Sequence, residues 1–253
     1  MIDFTDNIKR FLKRHHHPKV TPVAALIDMD GVLYDSMKLH TQAWKRVADE
    51  LGIEATRDEF YLYEGMTGSA TLDLLFMRQF GRHITPDEAE RFYAMKSEYF
   101  SNFPEVETMP GAQSLIKTMI DMSMKRVLVT GSGQMSLISR LQRDFPGGFD
   151  EKMMITSKSV KHGKPHPEPY LKAMQLAGAS PRKCVAIDNA PLGVKSADSA
   201  GVFSIGVTTG PIPKEELFNA GAAVVFDSME QLSENFPQLM FCLLYPFRAN
   251  EPE

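Results

Sequence analysis

Two acidic residues two positions apart, Asp28 and Asp30, end an apolar run that begins at Val23, and Gly31 follows them. Side chains two positions apart on a strand point to the same side of the pleat, and glycine permits a sharp turn after them. Adjacent carboxylates repel each other unless a cation joins them, and Mg²⁺ is a hard cation that favours carboxylate and carbonyl oxygens. The pattern therefore predicts a magnesium site where a strand ends.

A second set of residues offers partners for a phosphoryl group. Thr130, Gly131 and Ser132 present a hydroxyl and backbone amides ahead of a predicted helix, an arrangement that suits phosphate. Lys164 supplies a positive charge, and Asp188 ends another apolar run. Each feature is weak alone, because the glycines lack the third glycine of a dinucleotide fingerprint and Lys164 lacks the flanking residues of a P-loop. Their joint occurrence at successive strand ends indicates phosphoryl chemistry.

Short apolar runs alternate with amphipathic helices along most of the chain. This alternation predicts right-handed strand-helix-strand crossovers and an α/β fold, a doubly wound parallel sheet covered by helices on both faces. Ligands of such sheets bind beyond the carboxyl ends of the strands, where the residues above lie. The predicted strands are 23–28, 126–130, 153–156, 184–188, 202–207 and 222–226, and the predicted helices are 111–122, 134–144, 167–177, 191–199 and the segment from 229 onward.

Residues 37–104 show helical periodicity and no strand pattern. The predicted helices there are 37–51, 71–80 and 86–102. We therefore predict a helical cap domain at 37–104, inserted into a core domain that comprises 21–36 and 105–253. Residues 1–20 form an N-terminal extension, whose histidines at 15–17 indicate a solvated, partly frayed terminus.

Composition excludes several classes of protein. The 253 residues carry a formal net charge of −4, so the basic face that nucleic acid requires is not expected. The start of the chain is polar, and no apolar run approaches the roughly 20 residues of a membrane span, so neither a signal peptide nor a membrane partner is predicted. Cys184 and Cys242 share no metal-binding spacing and are interpreted as reduced thiols. We expect a cytoplasmic monomer.

Four segments, by their order and spacing, resemble the motifs of the haloacid dehalogenase (HAD) superfamily of phosphotransferases. They are 28–36, 129–132, 163–170 and 187–194. The resemblance implies a Rossmann-like core with an inserted cap, a Mg²⁺ cofactor and an aspartyl-phosphate intermediate. Asp28 matches the family's nucleophile and Asp30 its acid/base, while Thr130 and Lys164 would neutralise the phosphoryl oxygens.

Residues 40–44 and the position of the cap resemble the β-phosphoglucomutase-like subgroup, and within it a HAD-type inorganic pyrophosphatase. His40 and Lys96 are candidate substrate or phosphate contacts, together with Gly131 and Ser132. Ordinary helix packing is the favoured alternative for His40. A solvated helix face is favoured for Lys96, because its helix is rich in charged residues.

Two positions depart from the family pattern. The fourth motif usually carries two adjacent acids, but Asn189 follows Asp188 here, and an amide oxygen coordinates a metal more weakly than a carboxylate. In the cap, Glu64 and Gly68 occupy positions where the mutases hold a second phosphate with basic residues. We expect Glu64 to reach Mg²⁺ when the cap closes, a surface carboxylate being the alternative. The predicted metal site comprises Asp28, Asp30, Asn189 and Glu64, with Asp188 orienting its ligands.

These observations predict a Mg²⁺-dependent phosphohydrolase acting on inorganic pyrophosphate or a small phosphate monoester. An acid without a basic clamp is poorly suited to sugar bisphosphates. A β-phosphoglucomutase is the alternative from the same chemistry, and a catalytically silent phosphate-binding regulator is the alternative from another class. The intact pair Asp28 and Asp30 counts against the silent regulator.

Overall fold

Six strands form one parallel sheet in the computed structural model, which describes residues 2–133 and 135–245. The strands are β1 (Ala24–Ile27), β2 (Lys125–Val129), β3 (Met154–Ile155), β4 (Cys184–Asp188), β5 (Phe203–Val207) and β6 (Val224–Phe226). They lie in the order β3-β2-β1-β4-β5-β6. This arrangement, with helices on the sheet, confirms the predicted doubly wound α/β class.

The described residues form twelve α-helices. They are α1 (Thr5–His15), α2 (Met37–Glu50), α3 (Arg57–Leu62), α4 (Gly68–Phe80), α5 (Pro86–Ser101), α6 (Ala112–Asp121), α7 (Met135–Ile138), α8 (Leu141–Asp144), α9 (Glu168–Ala177), α10 (Pro191–Ser199), α11 (Lys214–Asn219) and α12 (Met229–Leu244). Helices cover both faces of the sheet, as the central strand shows. In β1, Ala25 and Ile27 belong to one apolar cluster, while Ala24 and Leu26 belong to another. A strand buried on both faces must be apolar throughout, which explains the unbroken run in the sequence.

Helices α2 to α5 form a separate helical layer with its own apolar cluster. The cluster comprises Val47, Ala48, Ile53, Phe60, Leu72, Leu75, Phe76 and Phe92. Capping boxes begin two of these helices, with Thr56 and Glu59 at α3 and Thr85 and Glu88 at α5, so that exposed backbone amides are satisfied at each start. The layer lies within the segment predicted as a cap, and the domain boundaries themselves stay a prediction.

The expectation of a partly frayed N-terminus is wrong, because residues 5–15 form helix α1. Phe4, Ile8, Phe11 and Leu12 are buried in the larger core cluster, and the Phe11 ring packs edge-on against Phe203 at 5.0 Å between centroids. Their spacing of four, three and one positions places them on one face of a helix. The basic residues and histidines obscured this apolar face in the sequence, although the periodicity was present.

Two further differences concern short helices. The segment predicted as one helix at 134–144 contains α7 and α8, separated at residues 139–140, and residue 134 lies outside the described residues. The sequence pattern does not predict α3 or α11, because six residues are too few to show a helical period. Among the described residues, no helix is long and apolar enough to cross a membrane.

Candidate active site

The carboxyl ends of three strands bring together the predicted acids and the predicted phosphate loop, residues 130–133. Ile27 pairs with Leu128 on one side and with Ile187 on the other. The residues that follow these positions in β1 and β4, Asp28 and Asp188, therefore lie at the same edge of the sheet, and Thr130 follows β2 there. A backbone hydrogen bond also places Asp28 beside the end of β4, since the Asp28 amide donates to the carbonyl of Ile187 at 3.0 Å. This edge lies where the strand order reverses, which is the usual ligand position of such sheets.

Lys164 joins the two strand-end acids. Its Nζ donates to Asp28 Oδ1 at 2.6 Å and to Asp188 Oδ2 at 2.7 Å. Asp188 also accepts hydrogen bonds from the Tyr170 hydroxyl at 2.7 Å and from the Ala190 amide at 3.1 Å. Burial raises the pKa of Asp28 to about 8 even though Lys164 opposes the shift. Asp188 thus holds Lys164 in position, while Asp28 keeps its other oxygen for a ligand.

Asp30 lies in the turn after β1, where Gly31 adopts a φ of +76° that favours glycine. Asp30 Oδ1 accepts hydrogen bonds from Ser36 Oγ at 2.6 Å and from His40 Nε2 at 2.9 Å. Lys96 Nζ lies 2.5 Å from His40 Nδ1. The pKa of Asp30 is lowered and burial lowers that of His40, so a carboxylate that can only accept faces a neutral imidazole. The ring proton is therefore on Nε2, and Nδ1 accepts from Lys96.

Burial and charge act in opposite directions on this chain of three residues. Burial raises the pKa of Asp30, but the interactions with His40 and Ser36 outweigh it, and the pKa lies below its ordinary value. Burial lowers the pKa of Lys96 to about 7. Only 2% of Lys96 is exposed, so the expectation of a solvated helix face is wrong. The sequence could not show that α5 turns this residue towards His40.

Glu64 reaches the site from the loop between α3 and α4. Asn189 Nδ2 donates to Glu64 Oε1 at 2.8 Å, and only 7% of Glu64 is exposed. Burial and the neighbouring Asp28 raise the pKa of Glu64 well above its ordinary value. The alternative of a surface carboxylate is therefore wrong, and the loop lies over the acids.

The oxygens at this point suit a hard cation. Asn189 Oδ1 is buried without a hydrogen-bond partner, and an unsatisfied buried oxygen normally requires an explanation such as a bound ion. The other oxygen ligands of such an ion would be the carboxylate of Asp28 and the backbone carbonyl of Asp30. No three His, Cys, Asp or Glu side chains in residues 2–133 and 135–245 are grouped as metal ligands. A set built from one carboxylate, one amide and one backbone carbonyl fits Mg²⁺, which usually keeps several waters.

The phosphate loop lies beside the loop between α3 and α4 that carries Glu64. The Ser132 amide donates to Thr130 Oγ1 at 3.0 Å, and the Gly133 amide donates to the Tyr93 hydroxyl at 2.8 Å. A Cβ at Gly131 would collide with the carbonyl of Gly65, so glycine is needed there for space. Between the loops lies a small, partly open cavity of about 60 Å³, lined by Asp28, Asp30, Glu64, the phosphate loop, His40, Lys96 and aromatic side chains.

The structure brings together all eleven residues that the sequence singled out, and it adds three more. They are Ser36, Tyr93 and Tyr170. Tyr93 could have been inferred once Lys96 was placed in the site, because residues three apart lie on the same face of a helix. Ser36 and Tyr170 lie inside matching motif segments, but their contacts depend on the fold.

The family model of the haloacid dehalogenase-like hydrolases matches residues 25–207. The chain belongs to this family. The match confirms the predicted superfamily and an enzyme of the hydrolase type.

Individual relatives of this HAD protein are named as phosphatases or as β-phosphoglucomutase. The phosphorylated carbohydrates phosphatase of Thermotoga maritima is 30% identical over 212 residues, which cover 83% of this chain and 96% of that protein. The β-phosphoglucomutase of Bacillus subtilis is 26% identical, with 74% and 84% covered. A Bacteroides vulgatus protein, solved under the provisional name of a β-phosphoglucomutase, superposes with a TM-score of 0.91 at 38% identity, covering 95% of this chain and 98% of that one. The resemblance to the β-phosphoglucomutase-like group is thereby confirmed.

Proposed function

We propose that this protein is a Mg²⁺-dependent phosphatase that hydrolyses a small phosphorylated compound through a phosphorylated Asp28. The observation that carries the proposal is the placement of the Asp28 carboxylate. It lines a cavity that the phosphate loop also lines, and the ammonium of Lys164 lies 2.6 Å from its Oδ1. A nucleophile, a cation and amide donors around one small space are the parts that phosphoryl transfer requires.

The reaction proceeds in two displacements. Asp28 attacks phosphorus, the new O–P bond forms as the bond to the leaving oxygen breaks, and Asp30 protonates that oxygen. Water then attacks phosphorus in the aspartyl-phosphate and gives a proton to Asp30. The bond between phosphorus and the Asp28 oxygen breaks, so phosphate is released and the Asp28 carboxylate is restored. Lys164 and Thr130 neutralise the phosphoryl oxygens. Bound Mg²⁺ would supply further positive charge at the oxygens of Asp28, Asp30 and Asn189.

Asp30 needs a proton for the first displacement, although His40 and Ser36 hold its pKa low in the site without substrate. An anionic substrate beside the carboxylate raises its pKa, because a like charge disfavours ionisation. Proton uptake would therefore accompany substrate binding. After phosphate has left, the low pKa returns Asp30 to its ionised form, so the proton taken up with the substrate is released.

Inorganic pyrophosphate is the substrate that the geometry favours. The cavity of about 60 Å³ is small, since a single water needs about 15 Å³. The positions where mutases hold a second phosphate carry Glu64 and Gly68, and neither is basic. A β-phosphoglucomutase activity is therefore disfavoured. Phosphorylated carbohydrates are the second candidate substrates, because the Thermotoga maritima relative is named for them.

A phosphate-release screen tests this proposal, with pyrophosphate, hexose phosphates and nucleotides as substrates. We expect the wild-type protein to release phosphate, and Asp28→Asn to abolish release, because an amide is not a nucleophile. Asp121→Asn, on the exposed surface of α6, serves as the control, and thermal melting should show that both variants are folded. Near wild-type turnover by Asp28→Asn would refute the mechanism. A wild-type protein that releases no phosphate from any substrate would favour the silent regulator.

Metal dependence is tested separately. Chelation should stop phosphate release, and added Mg²⁺ should restore it. Asn189→Asp restores the family's second acid and should tighten Mg²⁺ binding measured by titration calorimetry. Unchanged or weaker binding would contradict a ligand role for Asn189. The cytoplasmic location and the monomeric state stay predictions, and the second is checked by sedimentation.

A further inference from the structure

Tyr93 crosses from the helical layer to the phosphate loop. Its hydroxyl accepts a hydrogen bond from the Gly133 amide at 2.8 Å, and its ring lies 6.1 Å from that of Trp44 between centroids. Lys96 Nζ lies 5.8 Å from the centroid of the Tyr93 ring. Tyr93 therefore forms part of the cavity wall, yet the two displacements described above do not use it.

The neighbouring Gly68 is required by this ring. A Cβ at position 68 would collide with the Tyr93 side chain. Gly68 is not among the glycines with positive φ, so its backbone conformation is open to any residue. The absence of a side chain there serves only to make room. Gly68 and Tyr93 are therefore matched, and the ring fills the space that a side chain at position 68 would take.

We propose that Tyr93 determines which leaving groups the site accepts, because its ring fills the part of the cavity that an organic leaving group would enter. This inference rests on the proposed function and adds the residue that limits substrate size. The hydroxyl helps to hold the ring in this position by accepting from the Gly133 amide.

The hydroxyl is suited to this role as a neutral group. Burial raises the pKa of Tyr93, so the phenol stays protonated near neutral pH. The hydroxyl accepts from the Gly133 amide and also hydrogen-bonds with the Ser132 side chain. A neutral phenol imposes no charge on the cavity, so exclusion of larger substrates comes from the volume of the ring.

Two substitutions separate the ring from the hydroxyl. Tyr93→Ala should raise the ratio of kcat/KM for glucose 6-phosphate to kcat/KM for pyrophosphate by at least about tenfold, within the range that pocket volume controls. Tyr93→Phe keeps the ring and should leave this ratio within about twofold of the wild type, by the same reasoning. Tyr99→Ala is the matched control, because Tyr99 lies on α5 but donates to the exposed Glu50 at 2.5 Å and does not line the cavity.

An unchanged ratio in Tyr93→Ala, with the variant folded by thermal melting, would overturn the proposal. An equal rise in Tyr93→Phe would also overturn it, because the hydroxyl and not the ring would then set the specificity. A wild-type protein that hydrolyses neither substrate would instead contradict the proposed function. These failures are therefore distinguishable.

A double-mutant cycle tests the contact between Gly68 and Tyr93 by thermal melting, without an activity measurement. Gly68→Ala alone should lower the melting temperature, since the new methyl group collides with the ring of Tyr93. In the Tyr93→Ala background the same substitution should cost little, because the ring is gone, so the two effects should not add. Additive changes in melting temperature would show that the ring does not fill this space, and would overturn the inference.

Discussion

The two acids of the first motif have neighbours that separate their pKa values. Asp28 is buried and its pKa rises to about 8, whereas the pKa of Asp30 is held low by His40 and Ser36 against the effect of burial. A bound cation would lower the pKa of Asp28, because an opposite charge favours ionisation. In the proposed mechanism the resulting carboxylate is the nucleophile, and Asp30 exchanges the proton.

The first prediction concerns Asp30. Asp30→Asn removes the proton donor and should lower kcat by about 10²- to 10⁴-fold, the usual contribution of general acid-base catalysis. The loss should be smallest for aryl phosphates with good leaving groups, which need little protonation, and steady-state kinetics on a leaving-group series measures it. Asp35→Asn, in the same turn but half exposed, is the control. Equal losses for good and poor leaving groups would argue against the acid role.

The second prediction concerns Glu64, which stays a proposed metal ligand. Glu64→Ala removes a buried carboxylate beside Asn189 and Asp28 and should impair pyrophosphate hydrolysis more than hexose phosphate hydrolysis, because only the smaller substrate fits beneath the closed loop. Mg²⁺ affinity should also fall in titration calorimetry. Glu90→Ala, on the exposed face of α5, provides the control. If Glu64→Ala keeps both the wild-type substrate ratio and the wild-type Mg²⁺ affinity, Glu64 is not a ligand.

At the scale of elements, the helical layer is joined to the sheet by two adjacent linkers. The Asp35 amide donates to the Glu107 carbonyl at 3.0 Å, and the Met109 amide donates to the Leu33 carbonyl at 2.8 Å. Arg140 ties the second linker to the core, since its Nη2 donates to the Val106 carbonyl at 2.8 Å. Movement of the helical layer would therefore have to bend the chain beside these bonds.

The third prediction compares two arginines at this junction. Both pair with Glu105 and Asp144, but the side chain of Arg140 is 18% exposed and that of Arg143 is 58% exposed. Arg140→Ala also leaves the Val106 carbonyl without its donor and should destabilise the fold by about 1 to 3 kcal/mol. Arg143→Ala should cost less than about 1 kcal/mol, as exposed ion pairs do. Urea denaturation measures both, and equal losses would contradict this account of the junction.

For the whole molecule, the N-terminal helix is part of the main core. Phe11 is 1% exposed and packs against β5 through Phe203. The polar face of α1 also contacts the core, because Arg14 and His15 both pair with Asp198, at 2.7 and 2.8 Å. The helix therefore contributes to the stability of a fold whose active site lies elsewhere, at the carboxyl ends of the strands.

The fourth prediction tests that contribution. Phe11→Ala should lower the free energy of unfolding by about 3 to 5 kcal/mol, the usual cost of removing a buried phenylalanine. Lys9→Ala, on the exposed face of the same helix, should change it by less than about 0.5 kcal/mol. Chemical denaturation followed by circular dichroism measures both variants. A loss below about 1 kcal/mol for Phe11→Ala would show that the helix is dispensable, since such a value is typical of surface positions.

The sequence alone determined the class of fold and the position of the acids. Strands buried on both faces are mostly apolar, so β1, β4, β5 and the second half of β2 stand out as short runs between amphipathic helices. Once such runs are identified, the residues that follow them must meet at one edge of the sheet. Asp28, Thr130 and Asp188 could therefore be grouped without coordinates.

Only the tertiary structure decided the surroundings of that group. Lys96 belongs to a helix with many charged residues, and nothing nearby in the chain shows that its ammonium lies 2.5 Å from His40, which is 56 positions away. The same holds for Tyr93 against Gly133, and for Glu64 against Asn189. Periodicity reports which face of a helix is apolar, but it cannot report which polar side chain is buried. That outcome depends on hydrogen-bond partners contributed by distant segments, because a polar group is buried at low cost only when the assembled fold supplies them.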